Sequence, residues 1–113
     1  MGKRVVLIDA GTGNLRSVQH ALLTLGADVL RTDQPVDLKT ADLLVLPGVG
    51  AFGRFMQGMN QSGLSDAIRE EAKKGTPILG ICVGMQFFFD VGLEMGEFPG
   101  LGLIRGKVKQ FQP

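Results

Sequence analysis

A cysteine between two glycines is the residue of this sequence best suited to covalent chemistry. Cys82 follows the apolar run 78–81, with Gly80 two residues before it and Gly84 two residues after it. A nucleophile on a sharp turn between a strand and a helix needs such small neighbours, because larger side chains would collide across the turn. The helix that follows would direct its N-terminus at the sulfur and favour the thiolate. The spacing predicts Cys82 as a catalytic nucleophile; a buried, inert cysteine is the alternative.

A second glycine-rich segment could supply hydrogen-bond donors to the same reaction. A thiolate that attacks an amide carbonyl needs two N–H donors at the developing oxyanion. The residue after the nucleophile, Val83, would provide one of them from its backbone. Segment 47–53 reads Pro-Gly-Val-Gly-Ala-Phe-Gly and follows another apolar run. Its glycines would let the backbone of Val49 and Gly50 reorient toward a substrate, so this segment is predicted to complete an oxyanion hole. A plain surface loop is the alternative.

Two other candidate motifs are weaker. Residues 11–13 begin like a dinucleotide-binding fingerprint, but Arg16 stands where its third glycine should be. His20 is the only histidine, and it falls in the middle of a predicted helix, away from the apolar positions of that helix. We therefore expect His20 to be exposed and to be a poor base for Cys82. One cysteine and one histidine also exclude an internal disulfide and a zinc site built from several such ligands, so no metal is expected.

The apolar patterns predict how these segments are positioned. Short buried strands are expected at 4–9, 28–31, 42–46 and 76–81, helices at 15–25 and 64–72, a further helix opening at 85–89, and a half-exposed strand at 107–111. Such alternation predicts an α/β fold with a flavodoxin-like, mainly parallel sheet and helices on both faces. Ligands of such sheets bind at the carboxyl ends of the strands, so segments 10–14, 47–53 and 82–86 should share one rim. The phenylalanines at 87–89 are expected to pack in the core beneath the elbow.

The length, composition and net charge of the chain argue against several classes of function. The chain has 113 residues, of which 44% are hydrophobic and 20% charged, and its net charge is +1. This length suits one globular core, and the near-neutral charge argues against binding to nucleic acid or to an anionic membrane. No run is long enough to span a membrane, and the first residues lack the core of a signal peptide. We therefore expect a cytoplasmic protein.

Four segments together carry a resemblance to a known family. They are 9–18 (DAGTGNLRSV), 46–53 (LPGVGAFG), 80–86 (GICVGMQ) and 100–104 (GLGLI). The chain resembles the N-terminal part of class I glutamine amidotransferase domains, and most closely the glutaminase subunits of imidazole glycerol phosphate synthase. The cysteine elbow is shared by the whole class, whereas the other three segments in combination point to these subunits.

The resemblance implies roles for individual residues. Cys82 would form a glutamyl thioester, and Gly48, Gly50 and Gln86 would hold the L-glutamine substrate. Asn14 would face the partner, which in this family is a (β/α)₈-barrel cyclase that receives the ammonia during histidine biosynthesis. The reaction on this chain would convert glutamine to glutamate and ammonia without a cofactor.

The chain departs from the family pattern in three places. Ala10 stands where an aromatic residue is common, and Val83 replaces a more usual leucine. The family also pairs its thiolate with a histidine and a glutamate from the C-terminal half of the domain, whereas this sequence stops at Pro113. Residues 1–113 are accordingly expected to form a single, incomplete amidotransferase domain that does not turn over glutamine alone.

Two other functions stay open at this stage. The first is a catalytically inert flavodoxin-like half-domain that acts as an assembly module and self-associates through an unfinished sheet. The second is a redox sensor based on the Cys82 thiol.

Overall fold

A four-stranded parallel sheet forms the centre of the molecule. The computed structural model describes residues 3–11 and 15–109. The strands are β1 (Arg4–Ile8), β2 (Asp28–Thr32), β3 (Leu43–Gly48) and β4 (Ile78–Cys82), in the order β2-β1-β3-β4. All three strand pairs are parallel. This order is the one found in flavodoxin-like folds, and the predicted fold class is confirmed.

Helices cover both faces of this sheet. The helices are α1 (Arg16–Thr24), α2 (Phe52–Ser62) and α3 (Leu64–Lys74). Alternate residues of the strands enter two separate apolar clusters, as the period of a strand requires. The smaller cluster joins the strands to α1 through Val5, Leu7, Val45, Leu15, Val18 and Leu22. The larger one joins them to α2 and α3 through Val6, Ile8, Leu44, Leu46, Phe52, Phe55, Met59, Leu64 and Ile68. Within the described ranges, no helix has the length and apolar character that crossing a membrane requires.

A second, smaller sheet follows the main one. Its strands are β5 (Phe89–Gly92), β6 (Phe98–Pro99) and β7 (Ile104–Val108), with β5 in the centre. Strand β6 pairs antiparallel with β5, and β7 pairs parallel with it. Arg69 of α3 donates hydrogen bonds to the carbonyl oxygens of Leu101, at 2.9 Å, and Gly100, at 3.2 Å. The guanidinium group therefore fastens the connection between β6 and β7 to the main body of the fold.

The prediction of a helix opening at residues 85–89 is wrong after Gln86. Helix α4 (Val83–Gln86) is a single turn, and Phe89 already belongs to β5. The carbonyl oxygen of Phe88 accepts hydrogen bonds from the backbone of Leu103 and Ile104, both at 2.8 Å. These partners come from a later segment and replace the bonds that would have continued the helix. Of the strand predicted at 107–111, residues 110 and 111 lie outside the described part.

The glycine-rich segment predicted at 47–53 is shorter in the structure. Residues 47 and 48 still belong to β3, and Phe52 and Gly53 already form the first turn of α2. The pattern did not reveal α2, because two glycines interrupt it, at Gly53 and Gly58. A Cβ at Gly53 would lie 2.6 Å from ring atoms of Phe98. This glycine therefore serves the packing of α2 against the second sheet rather than the flexibility of a loop.

Candidate active site

The carboxyl ends of β1, β3 and β4 lie at one edge of the main sheet. In the parallel pairing of β3 with β4, Gly48 is the partner of Cys82. The segment after Gly48 therefore leaves the sheet next to the cysteine, as predicted for a shared rim. Of the third predicted rim segment, residues 12–14 lie outside the described residues, and they include Asn14.

The backbone at Cys82 is strained. Its φ is 57° and its ψ is −128°, a conformation that a side chain with a Cβ rarely adopts. Such a residue costs about 1–3 kcal/mol and persists only where the surrounding structure holds it. The residue ends β4, and Val83 begins α4 directly after it. The residue is exposed at this turn, so the expectation of burial in the alternative interpretation is wrong.

The two glycines that flank Cys82 are required by close packing. A Cβ at Gly80 would lie 2.6 Å from the Cα of Met85, and a Cβ at Gly84 would overlap the carbonyl oxygen of Leu46. Both distances are shorter than real Cβ contacts, and in each case the neighbour is backbone that cannot move aside. The predicted nucleophile elbow is confirmed as a local structure. Because α4 is a single turn, its dipole at the sulfur is smaller than a full helix would give.

The segment predicted to supply the oxyanion donors begins against the elbow. A Cβ at Gly48 would lie 2.8 Å from the backbone nitrogen of Gly84, so β3 and α4 approach each other without any side chain between them. Gly50 has a φ of +94°, which favours glycine, and Val49 is 55% exposed. As the first residue of α4, Val83 has a backbone N–H that makes no bond within the helix. The backbones of both segments thus lie at the end of the sheet.

A small cavity joins the cysteine to this segment. Its volume is about 160 Å³, and it is lined by Leu15, Val18, Pro47, Gly48, Val49, Ile81 and Cys82. Gly50 lines a neighbouring cavity of about 410 Å³ together with Ala10 and Gly11 at the exit of β1. In the described part of the chain, the cavity at Cys82 has no titratable lining residue other than the cysteine itself. The described residues around this cavity therefore present a thiol and backbone groups, and no acidic or basic side chain.

Aromatic packing supports this arrangement from below. Phe87 is fully buried and stacks on Phe55, with ring centroids 4.3 Å apart. It also meets the edge of Phe52 at 5.1 Å. Phe52 and Phe55 belong to the first turns of α2, directly after the segment predicted to complete the oxyanion hole. The prediction of core packing is confirmed for Phe87, and this cluster links the start of α2 to the elbow.

Gln86 does not line the cavity that contains Cys82. It is the last residue of α4 and lines a different cavity of about 460 Å³, together with Leu93, Glu94, Met95, Val108 and Lys109. The charges of Glu94 and Lys109 are opposite, which suits the ammonium and carboxylate groups of a free amino acid. Neither residue belongs to a motif in the sequence, because their place in one cavity depends on the pairing of β5 with β7.

Two other polar side chains, those of His20 and Asp9, do not contribute to the cavity at Cys82. His20 is exposed on α1, as predicted. The carboxylate of Asp9, which follows β1, forms an ion pair with Arg31 at 3.2 Å. Neither side chain lines the cavity at the cysteine. The sequence-based conclusion that His20 is not the base for Cys82 agrees with this placement.

Comparisons with known proteins place the chain in a family. The family model described as class I glutamine amidotransferase matches residues 6–97. The "Imidazole glycerol phosphate synthase subunit HisH" of Oceanobacillus iheyensis is 46% identical over 94% of this chain and 53% of its own length. The protein of the same name from Symbiobacterium thermophilum is 50% identical over 93% of this chain and 50% of its own length. The chain thus spans about half the length of the curated relatives it matches.

A solved structure shows the same fold. The crystal structure of a glutamine amidotransferase superimposes with a TM-score of 0.77 at 23% identity, over 91% of this chain and 54% of the other. The elbow at Cys82 and the register of β3 with β4 are consistent with the match to the family model. This chain belongs to the class I glutamine amidotransferases.

Proposed function

We propose that this chain carries the nucleophile and oxyanion side of a glutaminase, which converts L-glutamine to glutamate and ammonia. The observation that carries this proposal is the pairing of Gly48 with Cys82, which sets an exposed, strained cysteine beside a glycine-rich segment. The family match supports the same chemistry. Because the relatives are named as subunits of imidazole glycerol phosphate synthase, the acceptor of the ammonia would be a cyclase subunit. The complete protein would then work as a cytoplasmic heterodimer with this (β/α)₈ barrel, in histidine biosynthesis.

The proposed reaction proceeds through a covalent intermediate. The sulfur of Cys82 attacks the side-chain amide carbon of glutamine, and the carbonyl oxygen gains the negative charge of a tetrahedral intermediate. The backbone N–H of Val83 and that of Val49 or Gly50 donate hydrogen bonds to this oxyanion. Collapse breaks the C–N bond, and the leaving nitrogen takes up a proton and departs as ammonia. Water then cleaves the thioester, which restores the thiol and releases glutamate.

Recognition of the amino-acid end of glutamine is assigned to the cavity beside Gln86. Its amide would bond the substrate, the Glu94 carboxylate would pair with the substrate ammonium, and Lys109 would pair with the carboxylate. Gly48 lines the cavity at Cys82 and also has a packing role. It is buried, and its missing side chain makes room for Gly84 and Phe87, so it also lets the substrate-binding segment approach the elbow.

Turnover needs a group that the described site does not provide. Thioester formation requires a base for the thiol proton and an acid for the leaving nitrogen. The cavity at Cys82 contains no such side chain among the described residues, and the sole histidine, His20, is exposed on α1. We therefore propose that the 113-residue chain alone does not hydrolyse glutamine. The family resemblance assigns the missing proton transfers to a histidine and a glutamate of the other half.

A chimera tests this proposal. Residues 1–109 of this chain would be joined to the rest of the Oceanobacillus iheyensis relative and assayed with the cyclase subunit from that organism. We expect glutamine-dependent ammonia release, lowered about 1000-fold or more by Cys82→Ser. Equal rates for the two proteins would remove Cys82 from the mechanism. An inert assembly module would release no ammonia in any form of the protein.

A further inference from the structure

Segment 49–51 joins β3 to α2 and contains the backbone groups proposed to complete the oxyanion hole. Its three residues are exposed, and a Cβ at Gly50 would meet nothing within 4 Å. A segment with so little packing of its own depends for its position on the residues at its two ends. These ends are Gly48, the last residue of β3, and Phe52, the first residue of α2.

The ring of Phe87 contacts the structure that fixes both ends of this segment. A Cβ at Gly48 would lie 2.9 Å from Cε2 of Phe87, so the ring lies directly against the backbone where the segment begins. At the other end, the backbone N–H of Phe55 donates a 3.1 Å hydrogen bond to the carbonyl oxygen of Ala51. The ring of Phe55 stacks on that of Phe87, with an interplanar angle of 20°. One side chain thus connects the start of the segment to its end.

The backbone of Phe87 connects the same ring to the elbow. Its N–H donates a hydrogen bond to the carbonyl oxygen of Val83 at 3.2 Å, and its own carbonyl oxygen accepts one from Leu101 at 2.7 Å. Phe87 is fully buried, so close packing holds its ring in one position. The two parts of the backbone proposed to donate to the oxyanion, Val83 and segment 49–51, are therefore joined through one aromatic side chain.

We propose that Phe87 is a positioning residue, whose ring sets the distance between segment 49–51 and the N–H of Val83. This inference rests on the proposed function, because the distance matters to catalysis only if an oxyanion forms between the two donors. A misplacement of about 1 Å in a catalytic group can cost on the order of 100-fold in rate. Leucine fills less space than the ring and has no flat face to stack on Phe55, so Phe87→Leu should let the segment shift.

The kinetics of the chimera test this role. In Phe87→Leu we expect kcat to fall about tenfold or more while KM stays within about twofold, because the lost interaction acts in the transition state. Phe55→Leu, which breaks the same stack from its less buried side, should change kcat in the same direction. The control is Ile68→Ala, a truncation of a fully buried side chain of α3, which should lose stability but keep the kcat of the folded protein.

A double variant separates positioning from a general loss of packing. Gly50→Ala already disturbs the segment that Phe87 positions. Adding Phe87→Leu to Gly50→Ala should therefore slow ammonia release by no more than about threefold further. Effects that multiply fully, to about 1000-fold in the double variant, would show that Phe87 acts independently of the segment and would overturn the proposal.

Amide hydrogen exchange of the 113-residue chain gives a readout that needs no turnover. Phe87→Leu should accelerate exchange at Phe55, whose N–H bonds Ala51, about tenfold more than at Met59, one turn later in α2. Ile68→Ala should affect both amides equally.

The outcomes distinguish this inference from the proposed function. If ammonia release by the chimera does not depend on Cys82, the proposed function fails, and amide exchange alone decides whether Phe87 fixes the segment. If release depends on Cys82, the positioning role is overturned by an unchanged kcat in Phe87→Leu or by an equal loss of kcat in Ile68→Ala. In either case it is overturned by equal acceleration of exchange at Phe55 and Met59 in Phe87→Leu.

Discussion

Gly48 and Cys82 are partners at the last paired position of the parallel strands β3 and β4. Because both strands run in the same direction, the chain leaves the sheet after each of these residues at the same edge. The segment predicted to complete the oxyanion hole and the proposed nucleophile Cys82 are thus brought together by the register of two buried strands rather than by contacts between loops. A shift of this register by one residue would separate them and would also turn the core side chains of one strand to the wrong face.

The packing between β3 and α4 predicts a large effect for Gly84→Ala. The new methyl group would overlap the carbonyl oxygen of Leu46, which belongs to the centre of the sheet and cannot move away. We expect the free energy of unfolding to fall by about 2–4 kcal/mol, as measured by urea denaturation. The matched control is Gly58→Ala on α2, where a Cβ meets nothing within 4 Å. This control should be neutral or stabilise the protein by up to about 1 kcal/mol. Similar losses in both variants would contradict the packing argument.

Gly50→Ala should separate catalysis from stability. A Cβ at Gly50 meets no neighbour within 4 Å, but the φ of +94° is unfavourable for alanine. The expected loss of unfolding free energy is only about 1 kcal/mol. If the backbone here donates to the oxyanion, ammonia release by the chimera should fall about 100-fold in kcat. An unchanged kcat would remove this segment from the oxyanion hole, whatever the stability of the variant.

Glu71 makes the stability of the chain depend on pH. Its carboxylate is buried and accepts hydrogen bonds from Lys74 at 3.0 Å and Thr76 at 2.9 Å. Burial by itself raises the pKa of Glu71, but the hydrogen bonds and the charges of Lys74 and Lys39 outweigh it and hold the pKa below its ordinary value. The carboxylate therefore stabilises the fold at pH values above the ordinary range of a glutamate, and this contribution is lost as the pH falls through the lowered pKa.

Glu71→Gln measures this contribution. At pH 7 we expect a loss of about 1–2 kcal/mol in unfolding free energy, because the neutral amide removes the negative charge that accepts the hydrogen bonds from Lys74 and Thr76. The difference from the wild type should shrink as the pH is lowered and should vanish once Glu71 is protonated in the folded protein. Glu70→Gln, on the exposed side of the same helix, serves as the control and should show little difference at any pH. A gap between wild type and Glu71→Gln that grows toward acid would reverse the assigned sign.

Arg69 of α3 donates hydrogen bonds to the connection between β6 and β7, so its replacement should destabilise the second sheet selectively. Arg69→Ala removes the hydrogen bonds to the carbonyl oxygens of Gly100 and Leu101. We expect the free energy of unfolding to fall by about 1–3 kcal/mol. Amide exchange should become faster in β5 and β7 and should change less in β1 and β3. Arg69→Lys should not restore protection, because one ammonium cannot reproduce the planar fork of donors. The control is Arg105→Ala, at an exposed arginine. If this variant accelerated amide exchange in β5 and β7 as much as Arg69→Ala does, the Arg69 hydrogen bonds would not be what stabilises the second sheet.

Much of the site could be predicted from the sequence because it depends on local rules. Glycines two residues to either side of Cys82 are needed by the turn itself, and the apolar runs before residues 48 and 82 have the composition of buried parallel strands. Parallel strands then place their carboxyl ends together without further information. The elbow and the shared rim follow from these two rules.

The parts that could not be predicted depend on distant partners. Helix α2 contains two glycines, and it forms because Phe52, Phe55 and Met59 are buried against the sheet. The helix after Cys82 ends early because the carbonyl oxygens of Phe87 and Phe88 accept hydrogen bonds from backbone N–H groups in segment 101–104. The cavity with Gln86, Glu94 and Lys109 exists only once β5 and β7 are paired. None of these contacts leaves a periodic signal in the sequence.

The most direct test of the central claim is to trap the covalent intermediate. The chimera would be mixed with glutamine in the presence of its cyclase subunit, quenched in acid and digested. The mass of the peptide that contains Cys82 would then be measured by mass spectrometry. The proposed mechanism predicts a γ-glutamyl group on Cys82, absent with glutamate as substrate and absent in Cys82→Ser. Steady ammonia release with Cys82 unmodified, together with undiminished release by Cys82→Ser, would contradict it.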